Sequence, residues 1–134
     1  MAIEINVTGQ KKVRTLMAEF NKKFPYLGLR LYSPEAKNAS SYTPYRIPED
    51  KTLASVRAEG ASGGSISING NKKIRTLEAE FEKVFGLYAQ VCYCPKGCEA
   101  GKGYITTGSL DDYTLSSFNE KCKEDGTNEY SYGW

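Results

Sequence analysis

Histidine is absent from all 134 residues of this chain. Its absence removes the commonest general base near neutral pH, the usual partner of a serine or cysteine nucleophile, and every His-ligated metal site. No apolar run approaches the ~18 residues of a membrane span. Met1–Val7 alternates apolar and polar residues in place of the basic start and apolar block of a signal peptide. The expectation is a cytoplasmic protein that does not engage a membrane. Net charge is small as well: a net +2 and a pI near 8.3 fall far short of a dedicated nucleic-acid binder, so any electrostatic footprint must be local. The Gly turn Thr8-Gly9-Gln10-Lys11-Lys12 lacks the glycine spacing and the Lys-Ser/Thr pair of a nucleotide P-loop. Asp111-Asp112 and Glu49-Asp50 each precede a helix start, and capping accounts for them without a catalytic carboxylate pair.

What is present is a repeat. Aligned without a gap, Ile5–Pro34 and Ile66–Pro95 share fourteen identities in thirty positions, which predicts a tandem duplication of a unit of about 60 residues. Units this small are marginal alone, so the halves are expected to pack around one core. A hydrophobic content of 40% with 25% charged residues is enough to build it.

Each unit reads as strand, Gly turn, helix, strand, loop and short helix. Strands are predicted at Ile3–Val7 and Ser65–Ile68. In the helices that follow, Val13, Leu16, Met17, Phe20 and Phe24 form an apolar stripe, and Ile74, Leu77, Phe81 and Phe85 repeat it. Pro25 and Gly86 end these helices. Leu27, Leu29 and Leu31 alternate with polar or small residues as a half-buried strand. Its counterpart at Tyr88–Cys94 has two possible phases: Leu87, Ala89, Val91 and Tyr93 inward, or Tyr88, Gln90 and Cys92 inward, as the gapless alignment requires. A small strand is expected near Tyr104–Thr107, and Asp50 and Asp112 are read as caps of the two short helices. Strands joined by a helix of this length are expected to share a sheet, parallel for preference. The fold class is therefore α+β: a duplicated β-α-β-(loop/β)-α unit, residues 1–60 and 65–124, packed with pseudo-twofold symmetry, with a tail at 125–134. Gly60–Gly64 is the hinge.

Three sets of residues carry candidate chemistry. At the helix starts, Lys11, Lys12 and Arg14 recur as Lys72, Lys73 and Arg75, beside Gly turns that lead to backbone N–H groups. Basic groups there oppose the helix dipole, so a phosphate or carboxylate cradle is one reading and a solvated, Glu-paired face the other. Cys92, Cys94, Cys98 and Cys122 are the only cysteines and all lie in the second unit. They lack Cys-x-x-Cys spacing, so free thiols are preferred, ahead of a zinc site and then a Cys98–Cys122 disulfide. Tyr42, Tyr45, Tyr104 and Tyr113 in the loops, with Tyr130, Tyr132 and Trp134 in the tail, suit either a binding surface or the closed ends of a small core.

No catalytic constellation emerges, and no cofactor is required. The leading expectation is a non-enzymatic binding module that meets a protein partner through paired equivalent surfaces. The alternatives are a nucleic-acid or phosphoanion binder using the six basic residues, and a Cys-based zinc protein.

Overall fold

In the computed structural model, residues 4–96, 98 and 104–130 are described. The alternation of Ile5, Asn6 and Val7 makes a first strand, β1 (Ile5–Val7), with both apolar side chains turned inward. The apolar stripe then forms α1 (Val13–Lys23), which buries Val13, Leu16, Met17 and Phe20. β2 (Gly28–Tyr32) follows, then 3-10 turns at Pro34–Asn38 and Thr43–Tyr45, and a single helical turn, α2 (Leu53–Val56). The second half runs through β3 (Ile66–Ile68), α3 (Ile74–Phe85), β4 (Tyr88–Tyr93), β5 (Tyr104–Ile105), a 3-10 turn at Gly108–Asp112 and α4 (Leu115–Glu124). No helix among the described residues is long and apolar enough to cross a membrane.

The strands do not pair as expected. β1 lies antiparallel to β3, with Asn6 opposite Ser67, and β2 lies antiparallel to β4, with Arg30 opposite Gln90; β5 adds to the far edge of β4. Strands on either side of a helix thus fall in different sheets, and each pairs across the two halves. This pairing brings Ile5 and Val7 beside Ile68 and Ile66, and Leu29 and Leu31 beside Val91 and Ala89, so two inadequate cores merge into one. Phe20 and Phe81, both fully buried there, each contribute on the order of 2–3 kcal/mol by removal from water. The second strand's phase is also decided: Leu87, Ala89 and Val91 join the core, as do Leu27, Leu29 and Leu31. The connection after α3 is therefore one residue shorter than the gapless alignment allows. Gly86 makes the tighter turn with a left-handed φ of 67°.

Hydrogen bonds to each long helix's start recur in both halves. Val13 N donates to Lys51 O at 2.9 Å and Leu53 N to Lys11 O at 3.0 Å; Ile74 N donates to Tyr113 O at 3.0 Å and Leu115 N to Lys72 O at 2.9 Å. The short helices are capped by Thr52 and Thr114, whose hydroxyls accept from the amides of Ser55 and Ser117, and not by Asp50 and Asp112 two residues earlier. The linker is fastened too: Ala58, Ser62 and Gly63 donate to the last carbonyls of α3, those of Phe85, Lys83 and Val84. The tail is held as far as Tyr130. Asn128 bridges to Cys94, and the Tyr130 ring lies over Gly28 with its hydroxyl 2.7 Å from Arg30 Nε. Tyr132 and Trp134 lie outside the described residues.

Candidate ligand site

The basic helix starts do not form one site. Antiparallel pairing of β1 with β3 sends the two Gly turns out at opposite ends of the ribbon. Glycine serves close packing there: a Cβ on Gly9 would meet Ala54 Cβ at 3.0 Å, and one on Gly70 would meet Ser116 Oγ at 1.9 Å. The amides of Val13, Arg14 and Ile74 are taken by the carbonyls of Lys51, Glu49 and Tyr113, so the chain's own backbone fills the positions of the expected cradle. Lys11 pairs with Glu19, Lys72 with Glu80, and Arg75 Nη2 with Asp112 Oδ1 at 2.8 Å. Lys12, Arg14 and Lys73 are exposed.

The cysteines divide differently from the expectation. Cys94 and Cys98 form a disulfide, whereas Cys92 and Cys122 are free and buried. Four free thiols and a Cys98–Cys122 bond are thus both replaced by a short local link, made across the turn at Pro95. Burial pushes the Cys92 thiol up to about 12, which leaves it an unreactive thiol at neutral pH. Among the described residues, no group of three or more Cys, Asp or Glu is disposed to hold a metal ion.

The cavity with the most chemistry lies elsewhere, beside α3 and β4. It measures about 420 Å³ and is lined by Glu78, Ala79 and Glu82 of α3, Tyr88, Ala89 and Gln90 of β4, Ile105 of β5, Thr106, Thr107, Gly108 and Asp111 beyond it, and Tyr42 from the first half. Glu78 occupies a position on the helix face that points inward. Burial pushes its carboxyl up to about 8; the negative charge of Asp111 acts in the same direction, against an N–H bond from Val91 (3.2 Å) and the positive charge of Arg75. Glu78 is therefore mostly protonated at neutral pH.

Two further polar groups in this wall are unsatisfied. Thr106 is only 2% exposed, yet its hydroxyl, like Asp111 Oδ1, has no hydrogen-bond partner among the described residues. Buried groups of this kind normally carry a penalty of about 1–3 kcal/mol. Tyr42 and Tyr88 close one side, their rings edge to face at 5.4 Å and their hydroxyl oxygens 3.3 Å apart. Burial, the Tyr42 hydroxyl and the nearby carboxyls together hold the Tyr88 phenol well above its ordinary range. Gln90, 5% exposed, turns its amide N–H to Ala89 O at 2.8 Å. Glu82 at the mouth pairs with Lys37 at 3.3 Å. The lining residues include three carboxyls, two phenols and a free hydroxyl, and no Lys or Arg.

The first half shows what this corner looks like when it is closed. There Met17 aligns with Glu78, and Ile47 donates to Leu31 O at 3.0 Å just as Thr106 donates to Val91 O at 3.0 Å. Val13, Met17, Leu31 and Ile47, with Arg30, Arg46 and Glu49, surround a void of only about 10 Å³. In the second half, glutamate and threonine stand at the positions of methionine and isoleucine, and the corner is open and polar.

Sequence reasoning passed over Glu78, Gln90, Thr106 and Asp111. One signal was readable: the alignment sets Glu78 against Met17, a charge within the apolar stripe. Thr106 and Asp111 gave none, because the loop before α4 differs in length between the halves. Compared with protein-family models, with curated proteins and with solved structures, the chain matches none.

Proposed function

We propose that the chain is a non-enzymatic binding module made by tandem duplication, in which the first copy is structural and the second holds a small polar ligand in the Glu78 pocket. The duplication is supported by the fourteen identities, by the recurring bonds at the helix starts, and by two ladders each centred on a residue pair, as a pseudo-twofold axis requires. One observation carries the ligand reading. The corner that Met17 and Ile47 fill in one half is opened in the other by Glu78 and Thr106, and residues lining a cavity of ligand size carry buried oxygens without a hydrogen-bond partner among the described residues.

A fragment screen followed by amide chemical shifts tests this reading. Binding should perturb Ala79, Gln90, Thr106 and Gly108, and Ala79→Phe, which fills the pocket from an exposed helical position, should abolish the response. Binding that survives Ala79→Phe, or a screen in which nothing touches these amides, removes the reading. A cytoplasmic location, the other part of the proposal, requires Cys94 and Cys98 to be reduced in the cell, because cytosolic thiol buffers open most such bonds. Alkylating the thiols at lysis and counting them decides it.

A further inference from the structure

We propose that the ligand of this pocket is a primary organic ammonium, a protonated amine on a short carbon chain, which the Glu78 and Asp111 carboxyls, the Thr106 hydroxyl and the Tyr42 and Tyr88 rings hold together. The proposal rests on the reading of the pocket as a ligand site and adds the chemistry of the occupant. The lining is rich in acceptors and has no cationic side chain of its own. An anionic ligand would meet three carboxyls, and the nearby cations, Lys37 and Arg75, are already paired with Glu82 and Asp112. A bare metal ion is a poor match, because the carboxyls are not gathered as three ligands on one centre among the described residues. An ammonium on a carbon chain is larger, so it can span separated oxygens, and its three N–H donors can be shared between the Glu78 and Asp111 carboxyls of the lining, with the unpartnered Thr106 hydroxyl brought in by a small side-chain rotation. The two aromatic rings add the negative π faces that attract such a cation, and they give its carbon chain an apolar wall.

Binding should then release a proton. Glu78 faces Asp111 from the 3-10 turn, Tyr88 and the Val91 amide from β4, and Arg75 and Glu82 from its own helix. Of these, only the amide and Arg75 favour its ionised form, and Arg75 is shared with Asp112. A cation in the pocket supplies the missing charge and drives Glu78 to ionise. Affinity for the amine should rise close to tenfold per pH unit from pH 6 to pH 8 and level off above.

The test uses n-butylammonium chloride, with n-butanol and sodium butyrate as neutral and anionic analogues of the same length, titrated into the full chain and read from amide shifts at Ala79, Gln90, Thr106 and Gly108. The expected result is saturable binding of butylammonium alone, at least tenfold weaker in Glu78→Gln. That variant keeps a carbonyl oxygen for the Val91 N–H, and the rest of its spectrum reports whether it is folded. Asp111→Asn is a second variant in which the same direction is expected. If neutral fragments bind at these amides and butylammonium does not, the ammonium assignment is overturned and the pocket reading survives. If no probe perturbs them, both fall. Butylammonium that binds equally well to wild type and to both variants also overturns the assignment.

Discussion

A carboxyl held near pH 8 inside a folded chain makes stability fall as pH rises. Glu78 has an ordinary value near 4.5 and is raised to about 8 by burial and by Asp111. Below pH 4.5 the folded and unfolded chains both carry the proton, and the favourable folded environment of the neutral acid is fully present. Between 4.5 and 8 the unfolded chain has lost its proton while the folded chain retains it, so each pH unit removes about 1.4 kcal/mol from the unfolding free energy. Across the window the loss is at most roughly 5 kcal/mol, a large part of the 5–15 kcal/mol typical of a domain. Urea unfolding of wild type and Glu78→Gln at half-unit steps from pH 4.5 to 9, followed by far-UV circular dichroism, measures it. The difference between the two proteins should change steadily up to pH 8 and be flat beyond, with Glu78→Gln the more stable of the pair at pH 8. Two parallel curves would refute the reasoning, because they would mean that Glu78 titrates alike in both states and is not buried as described.

Four further outcomes follow from the structure. Tyr130→Ala removes a ring that is 3% exposed and strips Arg30 of its hydroxyl partner, so it should cost roughly 2–4 kcal/mol in urea unfolding; a loss below 1 kcal/mol would show that the tail is not part of the fold. Gly28→Ala sets a Cβ 2.2 Å from Tyr130 Cε1 and should destabilise wild type but change little in the Tyr130→Ala background, a coupling that a double-mutant cycle reads directly. Denatured, air-oxidised protein should titrate two thiols per chain, Cys92 and Cys122, and four after reduction; four without reductant would exclude the Cys94–Cys98 bond. Thr106→Val keeps the shape of the side chain while deleting a hydroxyl that has no partner, and should raise stability by about 1–2 kcal/mol. A loss of stability in that variant would mean that the hydroxyl is already satisfied in solution.

The sequence carried the helices and the core because both are written in local periodicity. Val13 to Phe24 and Ile74 to Phe85 have a spacing that only a helix converts into one apolar face, and the structure buries those faces. Strand pairing was not legible in the same way. A three-residue strand such as Ile5–Val7 has an apolar side but nothing that names its partner, and the partner turned out to be 61 residues away, opposite Ser67. The aspartates before the short helices misled for a related reason. Asp112 and Thr114 are both good caps, and the winner was set by where the backbone crosses the start of α3, through the bonds of Ile74 N to Tyr113 O and Leu115 N to Lys72 O. The pocket was hardest to see because its residues come from a helix, two strands and two loops, and Thr106 and Asp111 lie outside the segment where the halves align.

The opened corner also bears on whether these polar residues are a tolerated imperfection. A stable alternative on the same backbone exists within the molecule, since Met17 and Ile47 close the equivalent corner in the first half. At and above pH 8, replacing Glu78 and Thr106 by those residues would remove a half-buried carboxylate and an orphaned hydroxyl, changes that commonly stabilise a protein by about 1–4 kcal/mol, although the Val91 N–H would lose its acceptor. Drift alone would scatter such defects over the core. Here Glu78, Thr106 and Asp111, drawn from a helix, the segment after β5 and a 3-10 turn, face one cavity, and the remaining core positions of α3 keep the apolar character of their counterparts in α1. On the proposed reading, an occupant that gave these groups hydrogen-bond partners would stabilise the fold by mass action. Glu78→Met with Thr106→Ile should therefore give a more stable chain that binds nothing in this corner, whereas a double variant that is less stable than wild type at pH 8 would show that the polar residues serve the fold itself.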